Sequence, residues 1–102
     1  MYFDCTSEQV NDTVVVTPSG EIDRDTAAEF RAALEQAVAQ AGRGPVAVEL
    51  SRVTFMDSSG VGALLAAHRL ADSAGATLRA RNPTPTVRTV LDVTNVSGLL
   101  GV

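Results

Sequence analysis

VAVELSRVTFMDSSGVGALL, residues 46–65, passes from strand to helix within a few positions. Val46-Ala47-Val48-Glu49-Leu50 reads as a short strand, since it is rich in valine and preceded by the breakers Gly44 and Pro45. Residues 51–56 are its continuation or a loop. Asp57-Ser58-Ser59-Gly60 then opens an apolar-rich run to Ala74. This run predicts a helix capped by Asp57 or Ser58, whose side-chain oxygens accept from free N–H groups of the first turn. Gly75 stands where a left-handed residue closes such a helix.

Upstream, Thr26-x-x-Glu29 has the form of a capping box. Ala27, Phe30, Leu34, Val38 and Ala41 follow at a helical period, with Glu29, Arg31, Glu35, Gln36 and Gln40 mostly off that stripe. Gly42, Gly44 and Pro45 stop this helix. Before it, residues 2–10 predict a strand and Asn11-Asp12 a tight turn of residues that tolerate positive φ. Thr13-Val14-Val15-Val16-Thr17 is the returning strand, ended by Pro18 and Gly20. Downstream, residues 77–81 predict a strand. Thr84-Pro85 starts a third helix, with proline where its missing N–H costs nothing, and Asn95 ends it. Leu99, Leu100 and Val102 are assigned a last short edge strand. The order is β-β-α-β-α-β-α-(β). Strands alternating with helices imply parallel crossovers, and the opening hairpin makes the sheet mixed. The fold class is therefore α/β, a mixed β-sheet with helices over residues 26–41 and 58–74 packed mainly on one face.

The 102 residues make about one domain. No repeat, linker or low-complexity tract divides them, so residues 1–102 are read as a single domain. No apolar run approaches the ~20 residues of a membrane helix. The N-terminus lacks the basic segment and apolar core of a signal peptide. The expected compartment is the cytoplasm, with no membrane contact. Cys5 is the single cysteine, so no disulfide forms within the chain. A net charge of −4 disfavours nucleic acid as a partner, because that binding needs a basic surface. All eight basic residues are arginine. This excludes lysine Schiff-base chemistry and the lysine-bearing phosphate loop.

Catalysis finds no machinery. Ser58 or Ser59 as a nucleophile needs a base, and His68 is the single histidine. At ~1.5 Å rise per residue it lies about 15 Å along the same predicted helix from Ser58. No G-x-S-x-G elbow is present. No catalytic residue is assigned, and the chain is read as a non-enzyme. One Cys and one His in separate segments make no zinc set. Glu21, Asp23 and Asp25 read as a solvated helix entrance. Neither a metal nor a cofactor is expected. A receiver domain also keeps an aspartate after a central strand, as Asp57 does here. It needs an acidic pair after the first strand and a lysine near the last, whereas Asn11-Asp12 follows this first strand and lysine is absent.

At ~100° per residue, Val61, Leu65, His68, Arg69 and Asp72 fall with Ser58 inside an arc of about 100°. Ala63, Ala66, Ala67, Leu70, Ala71 and Ala74 occupy the other side. The second set has no polar member and is predicted to face the sheet. Val61 and Leu65 are then exposed beside a serine, as a partner surface or as a patch that another segment covers.

Three motifs in this chain resemble those of the STAS domains, in particular the bacterial anti-sigma factor antagonists. Gly20-Glu21-Ile22-Asp23 resembles the element G-[ED]-[IL]-D before the first helix. Phe55-Met56-Asp57-Ser58-Ser59-Gly60-Val61-Gly62 resembles the phosphorylation segment F-[ML]-D-S-[ST]-G-[LV]-G. Asn82-x-x-Pro85-x-Val87, with Leu91, resembles the turn and helix after the fourth strand. The middle motif is the specific one. Members of the family usually carry a further helix after the last strand, and this sequence stops at Gly101-Val102.

The resemblance implies a STAS-like sheet and a defined role. Such antagonists bind an anti-sigma factor that is also a serine kinase of the histidine-kinase-like ATPase superfamily, and so release a sigma factor. The kinase phosphorylates the first serine of the DSSG element, here Ser58, which ends binding; a separate phosphatase restores it. The implied partner-binding residues are Asp23, Met56, Asp57, Ser59, Gly60, Val61, Gly62, Leu65 and Arg69. On the wheel Ser59 lies about 100° toward the buried side, which favours Ser58 as the acceptor. The other class open to this sequence is a STAS module of a lipid-transport or stress-signalling complex.

Overall fold

The structure is a computed structural model that describes residues 2–102. Strand β1 (Phe3–Val10) turns at Asn11, whose φ of 56° is left-handed, into β2 (Thr13–Ile22). Helix α1 (Ala27–Ala41), strands β3 (Pro45–Glu49) and β4 (Val53–Met56), helix α2 (Ser58–Ser73), strand β5 (Thr77–Arg81) and helices α3 (Pro85–Val93) and α4 (Ser97–Leu100) follow. The sheet runs β1-β2-β3-β5, and β4 pairs with β2 beyond the reach of β3. Among the described residues, only β1 is antiparallel to its neighbour.

Strand β2 is longer than its valine run predicts, because Pro18 and Gly20 lie within it. The N–H of Gly20 donates to Arg52 O and that of Glu21 to Tyr2 O. Even-numbered positions of β2 therefore aim their N–H away from β1. The absent N–H of Pro18 would point between β3, whose pairing ends at Val16, and β4, whose pairing begins at Gly20. No ladder bond is lost, so proline is tolerated mid-strand. Gly20, at φ 95°, is required by a close approach, since a Cβ there would lie 2.1 Å from Tyr2 O.

Residues 51–56 resolve into both readings. A turn in which Val53 N–H donates to Leu50 O offsets the chain without reversing it, and β4 follows in the same direction as β3. The order thus gains a strand. The expected final edge strand is a helix instead. Val96 and Leu100, one helical turn apart, are both buried. Asn95 at φ 62° leads into that turn and Gly101 at φ 80° ends it, so burial at a helical spacing overrides the β propensity of the residues.

One cluster forms the core. Val14, Val16 and Ile22 of β2, Val46 and Val48 of β3 and Leu78 of β5 meet Phe30, Leu34 and Val38 of α1 and Leu64, Ala67 and Ala71 of α2. Val87 and Leu91 of α3 and Leu100 of α4 join the same cluster. All the helices thus serve one face of the sheet, as the two apolar stripes predict. Each fully buried Phe or Leu contributes roughly 1.5–3 kcal/mol. This layer fixes the carboxyl ends of β2 and β4, and those ends carry the entrances of α1 and α2.

Candidate functional site at the helix entrances

Asp57 caps α2. Its N–H donates to Ile22 O at 3.2 Å, which pins it to the end of β2. Its carboxylate accepts from Ser59 N–H at 2.8 Å. Ser58 is accordingly the first residue of the helix and not its cap. Its side chain is exposed, and among the described residues no hydrogen bond engages its hydroxyl. Ser59 is half-buried.

The two glycines that follow play opposite parts. A Cβ on Gly60 would come within 2.6 Å of Met56 Cγ and 2.9 Å of Ile22 Cγ2. Gly60 therefore lets the first turn of α2 settle directly on the ends of β2 and β4. A Cβ on Gly62 would meet nothing within 4 Å. Gly62 is exposed and leaves bare helix backbone about 40° from Ser58 on the wheel.

The entrance of α1 is built differently. The Asp23 carboxylate accepts from the N–H of Asp25 at 2.9 Å and of Thr26 at 3.2 Å. The Thr26 hydroxyl donates to Glu21 O at 2.9 Å and accepts from Asp23 N–H at 3.0 Å. The expected Thr26–Glu29 capping box does not form, because this hydroxyl is turned back onto the strand end and Asp23 caps in its place. Asp23, Arg24, Asp25 and Asp57 line an open cleft of about 430 Å³ between the two entrances. Arg24 is the cleft residue that no motif in the sequence singled out.

The helical wheel needs correction along α2. The buried arc contains Gly60, Val61, Ala63, Leu64, Ala67 and Ala71. Leu64, which neither predicted set contained, lies near its middle. Val61, expected at the surface, is 5% exposed and belongs to the core. Leu70 and Ala74, expected against the sheet, are exposed. His68 is half-buried rather than on the solvent face, with Nδ1 3.7 Å from the Asp72 carboxylate. Of the residues that the resemblance implies for partner binding, Gly62 and Arg69 are exposed, and Asp23, Asp57, Ser59 and Leu65 are half-buried. Met56, Gly60 and Val61 are buried and shape the entrance from beneath.

Cys5 lies outside this region. Burial, reinforced by Asp4 and Glu29, pushes its thiol up to about 11, so it stays protonated at neutral pH. Among the described residues no three His, Cys, Asp or Glu side chains gather as a metal set, and no helix is long and apolar enough to cross a membrane.

The family described as "Mlab, STAS domain" matches residues 5–101. The anti-sigma F factor antagonist of Lysinibacillus sphaericus is 34% identical over 79 residues, which cover 78% of this chain and 68% of that protein. The structure of the anti-sigma factor antagonist SpoIIAA in its unphosphorylated form is similar, with TM-score 0.80 and 31% identity over 93% of this chain and 84% of that one. The phosphorylated form of SpoIIAA from Bacillus gives TM-score 0.72 and 31% identity over 95% of this chain and 87% of that one. The chain belongs to the STAS-domain family of anti-sigma factor antagonists.

Proposed function

We propose that this chain docks an anti-sigma factor that is also a serine kinase, that docking frees a sigma factor, and that phosphorylation of Ser58 ends it. The chain is a binding protein in this reading, without catalysis of its own, acting in the cytoplasm, and a phosphatase returns it to the active form. The observation that carries the reading is the exposed hydroxyl of Ser58, unbonded among the described residues, at the first position of a capped helix. A kinase can reach it without breaking a contact of the fold. The N-terminus of α2 tolerates the added dianion through the positive end of its dipole.

The same charge works against docking. Phosphoserine adds about −1.5 to −2 charges beside Asp57. A partner surface shaped for a neutral hydroxyl must then take up a dianion and the adjoining carboxylate without water. Gly62, Leu65 and Arg69 supply the exposed or half-buried contact area next to Ser58, while Asp23 and Asp57 border the acidic cleft.

The test is to incubate the chain with an anti-sigma factor kinase and ATP and map the phosphate. Label on Ser58, lost in Ser58→Ala, is expected. Label on Ser59 that persists in Ser58→Ala overturns the assignment. The second reading is a STAS module of a lipid-transport or stress-signalling complex, which the match to the Mlab STAS family leaves open. A chain that resists every such kinase yet co-purifies with a transporter ATPase supports that class.

A further inference from the structure

We propose that the sheet face opposite the helices is a contact surface for a second copy of this chain. One row of side chains crosses that face in register: Glu8 on β1, Val15 on β2, Ala47 on β3 and Arg79 on β5. Glu8 and Arg79 are exposed at its two ends. Neither takes part in an ion pair among the described residues. Between them lie Ala47 and Val15, which is 7% exposed and is the one buried aliphatic residue among the described residues that stands outside the core cluster. The face thus has an acidic edge, a small apolar middle and a basic edge.

This pattern complements itself in one orientation. A two-fold axis parallel to the strands lays two such faces together, with Glu8 of one copy opposite Arg79 of the other at both ends. Val15 of one copy then meets Ala47 of the other. A two-fold axis across the strands sets Glu8 against Glu8 and Arg79 against Arg79, and like charges exclude it. Three inter-strand steps of about 4.8 Å separate Glu8 from Arg79, so the two cross-copy ion pairs stand about 14 Å apart. Facing sheets pack about 10 Å apart, a gap that valine, alanine and threonine side chains fill. Arg81 on the same face is already held by Glu49 at 2.8 Å and adds no unpaired charge.

The footprint sets the strength. Four strands of about five residues cover roughly 300 Å² of flat area, against about 800 Å² per partner in a stable interface. The dimer is therefore weak, concentration-dependent and sensitive to salt. It uses the face away from α1 and α2, so Ser58 stays accessible in both copies.

Sedimentation equilibrium of the chain from micromolar to millimolar concentration, at low and high salt, tests this. Dimer at the upper end, diminished by salt, is expected. Glu8→Arg and Arg79→Glu should each weaken association at least tenfold, because each variant sets like charges together at both ends. An equimolar mixture of the two variants should associate again, since every cross-copy pair is then opposite in sign. A chain that stays monomeric at millimolar concentration, a dimer indifferent to both reversals, or a mixture no better than either variant alone would each overturn the proposal. Glu8→Arg alters an exposed edge residue, so its comparison with the parent stands even where Arg79→Glu melts early.

Discussion

Helices α1 and α2 both begin at the carboxyl end of a strand, and both have an aspartate and a hydroxyl residue in the approach. At α1 both groups are committed. Asp23 accepts two backbone N–H groups, and the Thr26 hydroxyl both donates and accepts. At α2 only Asp57 is committed, and Ser58 is exposed with its hydroxyl unengaged among the described residues. Modifying Thr26 would forfeit two hydrogen bonds, each contributing about 0.5–1.5 kcal/mol. Modifying Ser58 forfeits none. One entrance is a clamp, and the other holds a group free to change its charge.

The largest effect expected from this contrast falls on docking. Phosphorylation of Ser58 should weaken binding to the anti-sigma factor by two to three powers of ten, roughly 3–4 kcal/mol. Ser58→Asp carries less charge and should give part of that loss. Its stability should stay within about 1 kcal/mol of the parent, because an aspartate suits the positive end of a helix. Calorimetric titration and thermal melts of parent and variant read the two quantities separately. A Ser58→Asp chain that unfolds, or that binds as tightly as the parent, removes charge at this entrance as the switch.

Next in size is a pair of alanine substitutions two residues apart. Gly60→Ala drives a methyl into Met56 and Ile22 and should destabilise by about 1–3 kcal/mol. Gly62→Ala has open space and should stabilise α2 by roughly 0.5–1 kcal/mol, since alanine is the better helix former. It should nevertheless weaken docking, because its methyl stands on the exposed side near Ser58. Denaturant midpoints of opposite sign are the expected result. Equal shifts would mean that α2 does not rest on the strand ends as described.

A smaller effect separates the two hydroxyls directly. Thr26→Val keeps the shape and removes both hydrogen bonds, at a cost of about 1–2 kcal/mol. Ser58→Ala removes an unbonded hydroxyl and should leave stability within about 0.5 kcal/mol. Chemical denaturation of both variants is sufficient. Equal losses would erase the distinction between clamp and free group.

Much of this contrast was legible in the sequence, and its limits are physical. The strand-to-helix passage at Asp57-Ser58-Ser59-Gly60 and the two apolar stripes gave the sheet and its helix layer, because local pattern and tertiary burial agree there. The Thr26–Glu29 spacing misled, since a hydroxyl that fits a capping box fits a strand-end carbonyl equally well, and only the course of the chain chooses. Pro18 read as a terminator because the gap between β3 and β4 is a property of the assembled sheet. Val61 is buried although it shares its arc with the polar His68, Arg69 and Asp72, because the buried arc lies around Leu64 and Ala67 and reaches Val61 at its edge. Arg24 had no signal at all, since its place in the cleft comes from the turn that Asp23 holds.

The smallest effect concerns a third carboxylate at a strand end, Glu49 on β3. Burial alone would raise its pKa, but hydrogen bonds from Ser51, Arg81 and Asn82 outweigh that and hold the carboxyl below its ordinary value. Arg81 Nε lies 2.8 Å from Oε1, and the Asn82 amide reaches both carboxylate oxygens at 3.2 Å. Asn82 sits at φ 55°, so the same contacts steady the left-handed turn between β5 and α3. Glu49 thus belongs with Asp23 among the clamps. A carboxyl whose pKa is lower in the folded chain stabilises above its unfolded value of about 4.3 and loses that contribution as the pH falls through the folded value. Because Arg81 is half in solvent, screening keeps the gain under about 1 kcal/mol. Melts of the parent and Glu49→Gln across the acid range should therefore differ near neutral pH and converge at the acid end, with the variant showing the shallower dependence. If the two curves run parallel throughout, Glu49 holds nothing, and the closing of the β5–α3 turn must come from Thr84, whose hydroxyl donates to Val53 O at 3.0 Å.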